Sequence, residues 1–357
     1  MTGRTVVFGW RRTPPPLLVG GAEVSQQLLA EEFAAAGWTT AYIGSFEPPW
    51  NAASQLDTLR THLTCAHVPY EEAAGEIHYR WNGVDCLAVS QHRLERAFTR
   101  ALQALSPRLV ITSQERAADL AALARRSGHQ VAGWIHSVSP TSQNVLRGRP
   151  HIALATSRFV AGRIRPAPET KTVVYYPPFR PPSASADKPL TPGPRLSRSP
   201  AGGLLMVNPV PAKGSALLHD LVQLLPNERF TLVEGWWNTA SDFARYPNVT
   251  YVPRTYDMGP LYRAHRLLLV PSVVEDAFPR VIVEAALHGC PALGSRRGGI
   301  PEAIAGGGLL LAHDDVTAWA KAIESRAGEA LGGRARQRAL PLVRACLPEL
   351  AEFGLLG

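Results

Sequence analysis

No run of apolar residues in this sequence approaches the length of about 18 that a membrane-spanning helix needs. The first residues, MTGRTVVFGWRR, have no long apolar core, so we expect a first strand there and no signal peptide. Cysteine is also scarce, with four residues among 357 and no CxxC pair. We therefore expect neither a zinc site nor a disulfide framework, and we expect a cytoplasmic protein.

Lysine is rare as well, because 33 of the 37 basic residues are arginine and only four are lysine. This bias is typical of GC-rich bacterial genomes. The formal net charge of +8 favours an anionic partner such as a nucleotide, and it also allows weak association with a membrane surface. The arginines are scattered, without dense runs or interleaved aromatic residues, so we expect no nucleic-acid partner.

Short apolar strands alternate with helical patterns in two series along the chain. Such alternation predicts parallel sheets with crossover helices, an α/β protein. Between the two series, residues 177–203 are rich in Pro, Ser, Gly and Ala, a composition that favours a linker. The pattern in residues 45–90 does not order their elements. We divide the chain into a first domain (1–182), a linker (183–203), a second domain (204–340) and a C-terminal helix (341–357), with helical character predicted over 334–353.

The most informative segment is PSVVEDAFPRVIVEAALHGCPALGSRRGGIPEAI, residues 271–304. A strand ends before it, and a helix is predicted to begin near Phe278, Pro279 and Arg280. Helix N-termini present free N–H groups and partial positive charge, which favour phosphate. Asp276 and Glu284 lie eight positions apart, one before this helix and one inside it. Carboxylates accept hydrogen bonds from neighbouring hydroxyls, so the two acids fit a sugar and a ribose.

This segment resembles the retaining GT-B glycosyltransferases of family 4. Their pattern is Glu, seven residues and Glu-Ala, followed by G-x-P and G-G-x-P-E. Here Asp276, seven residues and Glu284-Ala are followed by G-C-P and G-G-I-P-E. Asp276 thus replaces the first Glu of the family, and Pro279 replaces a Gly. Glu275 is an alternative first acid, but it leaves eight residues before Glu284.

The resemblance covers nearly the whole chain. Lys213 follows a predicted strand and precedes a Gly, as in the Lys-Gly segment of the family, whereas Asn208 stands where the family often has Arg. In the first half, Gly20 and Gly21 precede a predicted helix and match the glycine loop of the family. His136 ends a predicted strand, where family members often carry a His near the donor sugar.

The resemblance implies a GT-B architecture, in which two Rossmann-like domains face each other across a cleft. It implies glycosyl transfer with retention from a nucleoside-diphosphate sugar, without a metal or another cofactor. The departing phosphate would help to deprotonate the acceptor. The implied catalytic residues are Lys213 at the diphosphate, Asp276 at the sugar hydroxyls and His136 at the sugar. The implied donor-binding residues are Gly20, Gly21, Asn208, Phe278, Pro279, Arg280 and Glu284, the last at the ribose.

Several of these residues also have ordinary structural explanations. Asp276 alternatively caps a helix, and His136 alternatively is a buried histidine bonded to backbone. Glu284 lies in an apolar run and needs a partner there. Trp236 and Trp237 replace the usual Gly-rich turn of the family, either as core packing or as a wall of the site.

The acceptor is not identified by the sequence. A small molecule, a lipid and a carrier-bound intermediate all fit, in bacterial secondary-metabolite biosynthesis, such as that of an antibiotic, or in cell-envelope biosynthesis. Two other classes stay open. One is a sugar-nucleotide-binding pseudoenzyme or a partner-dependent subunit, and the other is a GT-B phosphorylase or epimerase.

Overall fold

The computed structural model describes residues 3–17, 20–49, 54–182, 202–255 and 257–356. The chain forms two compact units. The N-terminal unit comprises Met1–Pro178 and Arg344–Gly357, and the C-terminal unit comprises Phe179–Val343. Most of the segment that we predicted as a linker lies outside the described residues.

A nine-stranded sheet forms the centre of the N-terminal unit, in the order β3-β4-β5-β2-β1-β6-β7-β8-β9. All pairs are parallel except those that β4 makes with β3 and β5. The strands are β1 (Thr5–Gly9), β2 (Thr39–Ser45), β3 (Tyr70–Ala73), β4 (Glu76–Trp81), β5 (Val84–Val89), β6 (Leu109–Ser113), β7 (Gln130–Ile135), β8 (Ile152–Ala155) and β9 (Lys171–Val174).

The helices of this unit connect the parallel strands. Along α1, Leu29 and Phe33 lie one turn apart on the buried face and share a core with Phe8 and Trp134 of the sheet. The helices are α1 (Gly21–Ala35), α2 (Leu56–Cys65), α3 (Leu94–Leu105), α4 (Ala117–Arg126), α5 (Pro140–Gln143) and α6 (Arg158–Arg163).

The C-terminal unit contains a six-stranded sheet in the order β12-β11-β10-β13-β14-β15, and every pair is parallel. Apolar side chains cover both faces of this sheet, as parallel sheets require. The strands are β10 (Gly203–Val207), β11 (Phe230–Val233), β12 (Val249–Val252), β13 (His265–Val270), β14 (Ala292–Ser295) and β15 (Leu309–Leu311). The helices are α7 (Ser215–Leu224), α8 (Ala240–Phe243), α9 (Gly259–Ala264), α10 (Arg280–Leu287), α11 (Ile300–Ile304), α12 (Val316–Glu324) and α13 (Gly332–Ala339).

The end of the chain differs from our prediction. The helical character predicted over 334–353 is interrupted, because α13 ends in a short 3-10 turn at Leu340–Leu342 and α14 (Leu347–Glu352) begins anew. Pro341 lies within that turn, and a proline removes a backbone donor and clashes with the preceding helical turn. Leu350, on α14, is buried in the core of the N-terminal unit.

The observed limits of β10 and of the C-terminal unit differ by a few residues from the predicted domain boundaries. Gly203, predicted as the last linker residue, is the first residue of β10. Phe179, predicted in the first domain, is grouped with the C-terminal unit. Within that unit, the guanidinium carbon of Arg280 lies 4.4 Å from the centroid of the Phe179 ring.

Candidate functional site

Three loops of the C-terminal unit meet where β10, β13 and β14 end. These strands are neighbours in the sheet and run parallel, so their carboxyl ends lie at one edge, the usual ligand site of such sheets. Backbone hydrogen bonds join the loops. The N–H groups of Val273 and Val274 donate to the Ala212 carbonyl at 3.1 and 3.3 Å, and the Gly299 N–H donates to the Asp276 carbonyl at 2.6 Å.

Two glycines permit this close approach. Gly214 has a φ of +91°, and a Cβ there would lie 2.2 Å from the carbonyl oxygen of Pro271. A Cβ on Gly299 would lie 1.8 Å from the carbonyl oxygen of Ala277. Both contacts are far shorter than real side chains tolerate, so any side chain at either position would push the loops apart.

Lys213 and Asp276 form an ion pair between two of these loops. Lys213 ends a short 3-10 turn, and Asp276 lies four residues before α10. The side chains are 19% and 14% exposed, so the pair is largely buried yet accessible from one side. The second oxygen of Asp276, Oδ2, is buried and has no hydrogen-bond partner among the described residues. The alternative of Asp276 as a helix cap is wrong, since Pro279 is the N-cap residue of α10 and that cap has no side-chain hydrogen bond.

Glu284 has the partners that its apolar surroundings require. On α10, Arg280 Nε donates to Glu284 Oε1 at 3.1 Å, and the hydroxyl of Tyr262 on α9 donates to Oε2 at 3.1 Å. Burial, reinforced by the charge of Glu284, raises the pKa of Tyr262 well above its usual value, so the phenol stays protonated as a donor. The carboxylate is therefore held in one orientation with lone pairs to spare.

Phe278 and Pro279 lie directly before α10, as predicted, and Arg280 is its first residue. The Arg280 side chain is only 8% exposed and is held by Glu284 and the Phe179 ring. The cap of α10 has no side-chain hydrogen bond, and the partial positive charge at a helix start suits an anion.

Asn208 serves as an anchor for the loop after β11. Its φ is +60°, and its Oδ1 accepts the backbone N–H of Trp236 at 3.1 Å. A Cβ on Gly235 would lie 2.3 Å from the Asn208 side chain, so the anchor requires a glycine at that position. From the other side, the guanidinium of Arg254 donates to the Gly235 carbonyl. The predicted donor contact of Asn208 stays a prediction.

Trp236 and Trp237 are exposed on this anchored loop, 41% and 58% respectively. Their ring centroids are 5.8 Å apart and the planes are nearly perpendicular, at 87°. Nζ of Lys213 lies 5.4 Å from the centroid of the Trp236 ring. Of the two explanations offered by the sequence, core packing is wrong, and Trp236 borders the Lys213–Asp276 pair.

The remaining predicted residues lie in the N-terminal unit. Gly20 is the N-cap residue of α1 in extended conformation, and Gly21 is the first residue of that helix. His136 follows β7. Its N–H donates to the Ser142 hydroxyl at 2.9 Å, and its ring lies 4.6 Å from that of Trp134. The roles that the resemblance implies for these three residues stay predictions.

Sequence reasoning missed a charged cluster in this unit. Arg12 follows β1 and bridges Glu23 of α1, at 2.5 Å, and Glu115 after β6, at 3.0 Å. Burial disfavours the charged guanidinium, but the two carboxylates outweigh burial and raise the pKa of Arg12. No local motif signals the cluster, because Arg12 and Glu115 lie 103 positions apart.

Within the described residues, no group of three His, Cys, Asp or Glu side chains is arranged to hold a metal ion. None of the helices that the structure describes is long and apolar enough to span a bilayer. Asp315 acts as a helix cap, since its side chain accepts the Ala318 N–H at 2.9 Å.

Residues 206–327 match the family model described as glycosyl transferases group 1. That segment is therefore similar to group 1 glycosyltransferase domains. It contains the Lys213–Asp276 pair, Glu284 and the three loops around them. A comparison with curated protein sequences finds no match.

Solved glycosyltransferase structures share the fold of the entire chain. Sucrose-phosphate synthase from Thermosynechococcus elongatus is 18% identical, with 99% of each chain covered and a TM-score of 0.69. Anabaena HepE in complex with UDP-glucose is 18% identical, with 98% of this chain and 99% of that chain covered and a TM-score of 0.69. A glycosyltransferase from Rickettsia africae is 15% identical, with 99% and 98% covered and a TM-score of 0.71. The predicted GT-B fold is confirmed.

Proposed function

We propose that this protein transfers a sugar from a nucleoside-diphosphate sugar to an acceptor hydroxyl, with retention of configuration and without a metal ion. The observation that carries the proposal is the Lys213–Asp276 pair in the group 1 domain, at the loop edge where α10 begins. Anabaena HepE was solved with UDP-glucose and with UDP and glucose. A UDP sugar is therefore the first donor to test.

The chemistry follows from charge. Cleavage of the donor leaves negative charge on the diphosphate, which the ammonium of Lys213 and the first N–H groups of α10 stabilise. This stabilisation grows as the bond breaks, so it lowers the barrier more than it strengthens donor binding. Phe278, Pro279 and Arg280 contribute backbone to this anion site.

Asp276 and the diphosphate compete for Lys213. In the structure, Oδ1 of Asp276 pairs with the ammonium of Lys213. A bound diphosphate carries more negative charge than one carboxylate and draws Lys213 away. Asp276 is then free to accept hydrogen bonds from the sugar hydroxyls, for which its buried Oδ2 already lacks a partner among the described residues.

Retention needs the acceptor to attack the face from which the diphosphate leaves. In the mechanism implied by the resemblance, the departing phosphate takes the acceptor proton, and no carboxylate forms a covalent intermediate. His136 stays the predicted sugar contact from the N-terminal unit, and Gly20 and Gly21 stay the predicted glycine loop. Small-molecule, lipid and carrier-bound acceptors fit equally well.

A nucleotide panel tests the proposal. The thermal stability of the protein is measured in EDTA with the diphosphates of uridine, guanosine, adenosine and thymidine and with their glucose derivatives. A ligand at 100 times its Kd adds about 2.7 kcal/mol to the stability of the folded state, so binding raises the Tm. We expect a selective rise with UDP and UDP-glucose. No rise with any nucleotide at millimolar concentration would contradict the proposal.

Glu284→Ala should weaken UDP binding. The variant loses at least one charged hydrogen bond to the ribose, and one such bond contributes about 1.5–3 kcal/mol, so we expect a Kd at least about 10- to 100-fold higher. Calorimetric titration with UDP and with 2′-deoxy-UDP measures the effect. The deoxy nucleotide should bind the original protein more weakly than UDP, whereas the variant should not distinguish the two.

Tyr262→Phe is the matched control, since it removes only one of the groups that orient Glu284. We expect a smaller loss of UDP affinity than for Glu284→Ala. If Glu284→Ala bound UDP as tightly as the original protein, the ribose assignment would be wrong.

A further inference from the structure

Trp236 is presented to solvent from a loop that is fixed at several points. Asn208 Oδ1 holds its N–H, and Arg254 holds the carbonyl of Gly235. Farther along the loop, the N–H of Thr239 donates to the hydroxyl of Tyr251 at 3.0 Å. A large apolar side chain so exposed contributes little to the core, so the anchors point to a role at the surface that it borders.

The group that the Trp236 ring borders is the ammonium of Lys213. Nζ lies 5.4 Å from the centroid of the Trp236 ring, within the range in which a cation is attracted to the face of an indole. On another side, the ammonium pairs with Asp276. Lys213 is thus held by one charged and one aromatic partner.

We propose that Trp236 is a positioning residue of the donor site, which keeps the ammonium of Lys213 at the diphosphate, and that Asn208 acts through Trp236. The inference rests on the proposed function. A lysine carries its charge on a flexible stem, so its placement depends on its partners. When Asp276 turns to the sugar, the indole face is the neutral partner that stays and does not compete with phosphate.

Two of the residues that depart from the family pattern are thereby connected. Asn208 stands where the family often has Arg, and Trp236 stands in place of a Gly-rich turn. In this chain the Asn208 side chain binds the backbone of Trp236 and so sets the position of the indole beside Lys213. An aromatic ring thus stands beside the ammonium of Lys213.

A substitution series at Trp236 tests the proposal in the active protein, with UDP-glucose or the donor that the nucleotide panel selects. The attraction of a cation falls from Trp to Tyr and Phe and is absent for Leu. We expect kcat to fall in that order, with Trp236→Leu about three- to tenfold below the original protein. The Kd for UDP should change less than kcat, because the charge of Lys213 matters most in the transition state.

Trp237 offers the matched control, since it is even more exposed and lies on the same loop. Trp237→Phe and Trp237→Leu should both have the kcat of the original protein. Asn208→Ala should lower kcat in the same direction as Trp236→Leu, and the double variant should be no worse than Trp236→Leu alone. Additive losses would show that Asn208 acts independently of Trp236.

A measurement without nucleotide separates this inference from the proposed function. Lys213→Met removes the charge beside the Trp236 indole. Introduced into the original protein or into Trp237→Phe, it should change the tryptophan fluorescence. Introduced into Trp236→Phe, it should leave the fluorescence unchanged. If Trp236→Leu and Trp237→Leu have the same kcat, or if the fluorescence change persists in Trp236→Phe, the positioning role is wrong. If nucleotides fail to bind while the fluorescence pattern holds, the proposed function fails and the Lys213–Trp236 contact stands.

Discussion

Lys213→Ala should lower kcat about 100- to 1000-fold, the loss typical when a preorganised group that stabilises transition-state charge is removed. The ammonium of Lys213 pairs with Asp276 at the edge of the sheet where α10 begins. The Kd for UDP should rise far less, because the negative charge on the diphosphate increases as the glycosidic bond breaks. Steady-state transfer rates and calorimetric UDP titration measure the two quantities.

Two controls accompany this variant. Lys213→Arg keeps the charge, but the shape and hydrogen-bond directions of its head group differ, so we expect partial activity. Lys321 is an exposed lysine on α12 of the same unit, and Lys321→Ala should leave kcat unchanged. If Lys213→Ala raised the Kd for UDP as much as it lowered kcat, Lys213 would be a ground-state binding residue only.

The loop positions of the site could be predicted from the sequence because parallel strands bring the ends of distant segments to one edge. Lys213 and Asp276 were both assigned to the donor, and the structure places them in contact. The need of Glu284 for a partner also followed from its apolar neighbours. Arg280 lies one helical turn away and was within reach of local reasoning, whereas Tyr262 lies 22 positions before Glu284 and comes from another helix.

Residues 45–90 contain a turn signal, although the spacing of their apolar residues did not order the elements there. Strands β3, β4 and β5 form two antiparallel pairs, and Asn82-Gly83 connects the second pair. Both connecting residues have positive φ, 46° and 84°, as a tight hairpin turn requires. The Asn-Gly pair thus marked a hairpin in a region whose elements we could not order from the sequence.

The role of Asn208 illustrates what the sequence could not provide. The resemblance implied a donor contact for Asn208, which stays a prediction. The structure shows in addition that its side chain binds the loop after β11, 28 residues later. The bond depends on a positive φ at Asn208 and on the missing side chain of Gly235. Neither condition can be recognised until the two loops are known to be neighbours in the sheet.

Asp276→Ala should separate the effect of a variant on UDP affinity from its effect on the rate of sugar transfer. Without this carboxylate, Lys213 has lost the partner that a diphosphate must displace, so we expect the Kd for UDP to stay the same or to fall. The sugar loses a charged hydrogen bond of about 1.5–3 kcal/mol, so we expect kcat for transfer to fall about 10- to 100-fold. UDP binding that is unchanged or tighter, together with slower transfer, is the signature of competition for Lys213.

Two further variants make the test decisive. Asp276→Glu installs the residue that the family pattern has, with the same charge and one more methylene, and should retain transfer or shift the preferred donor sugar. Asp276→Asn keeps the size but weakens the attraction for Lys213, so its UDP affinity should resemble that of Asp276→Ala. A loss of UDP affinity in step with kcat would show instead that Asp276 acts by holding Lys213 in place. In that case the sugar hydroxyls would need another acceptor, and Glu275 would be the next residue to replace.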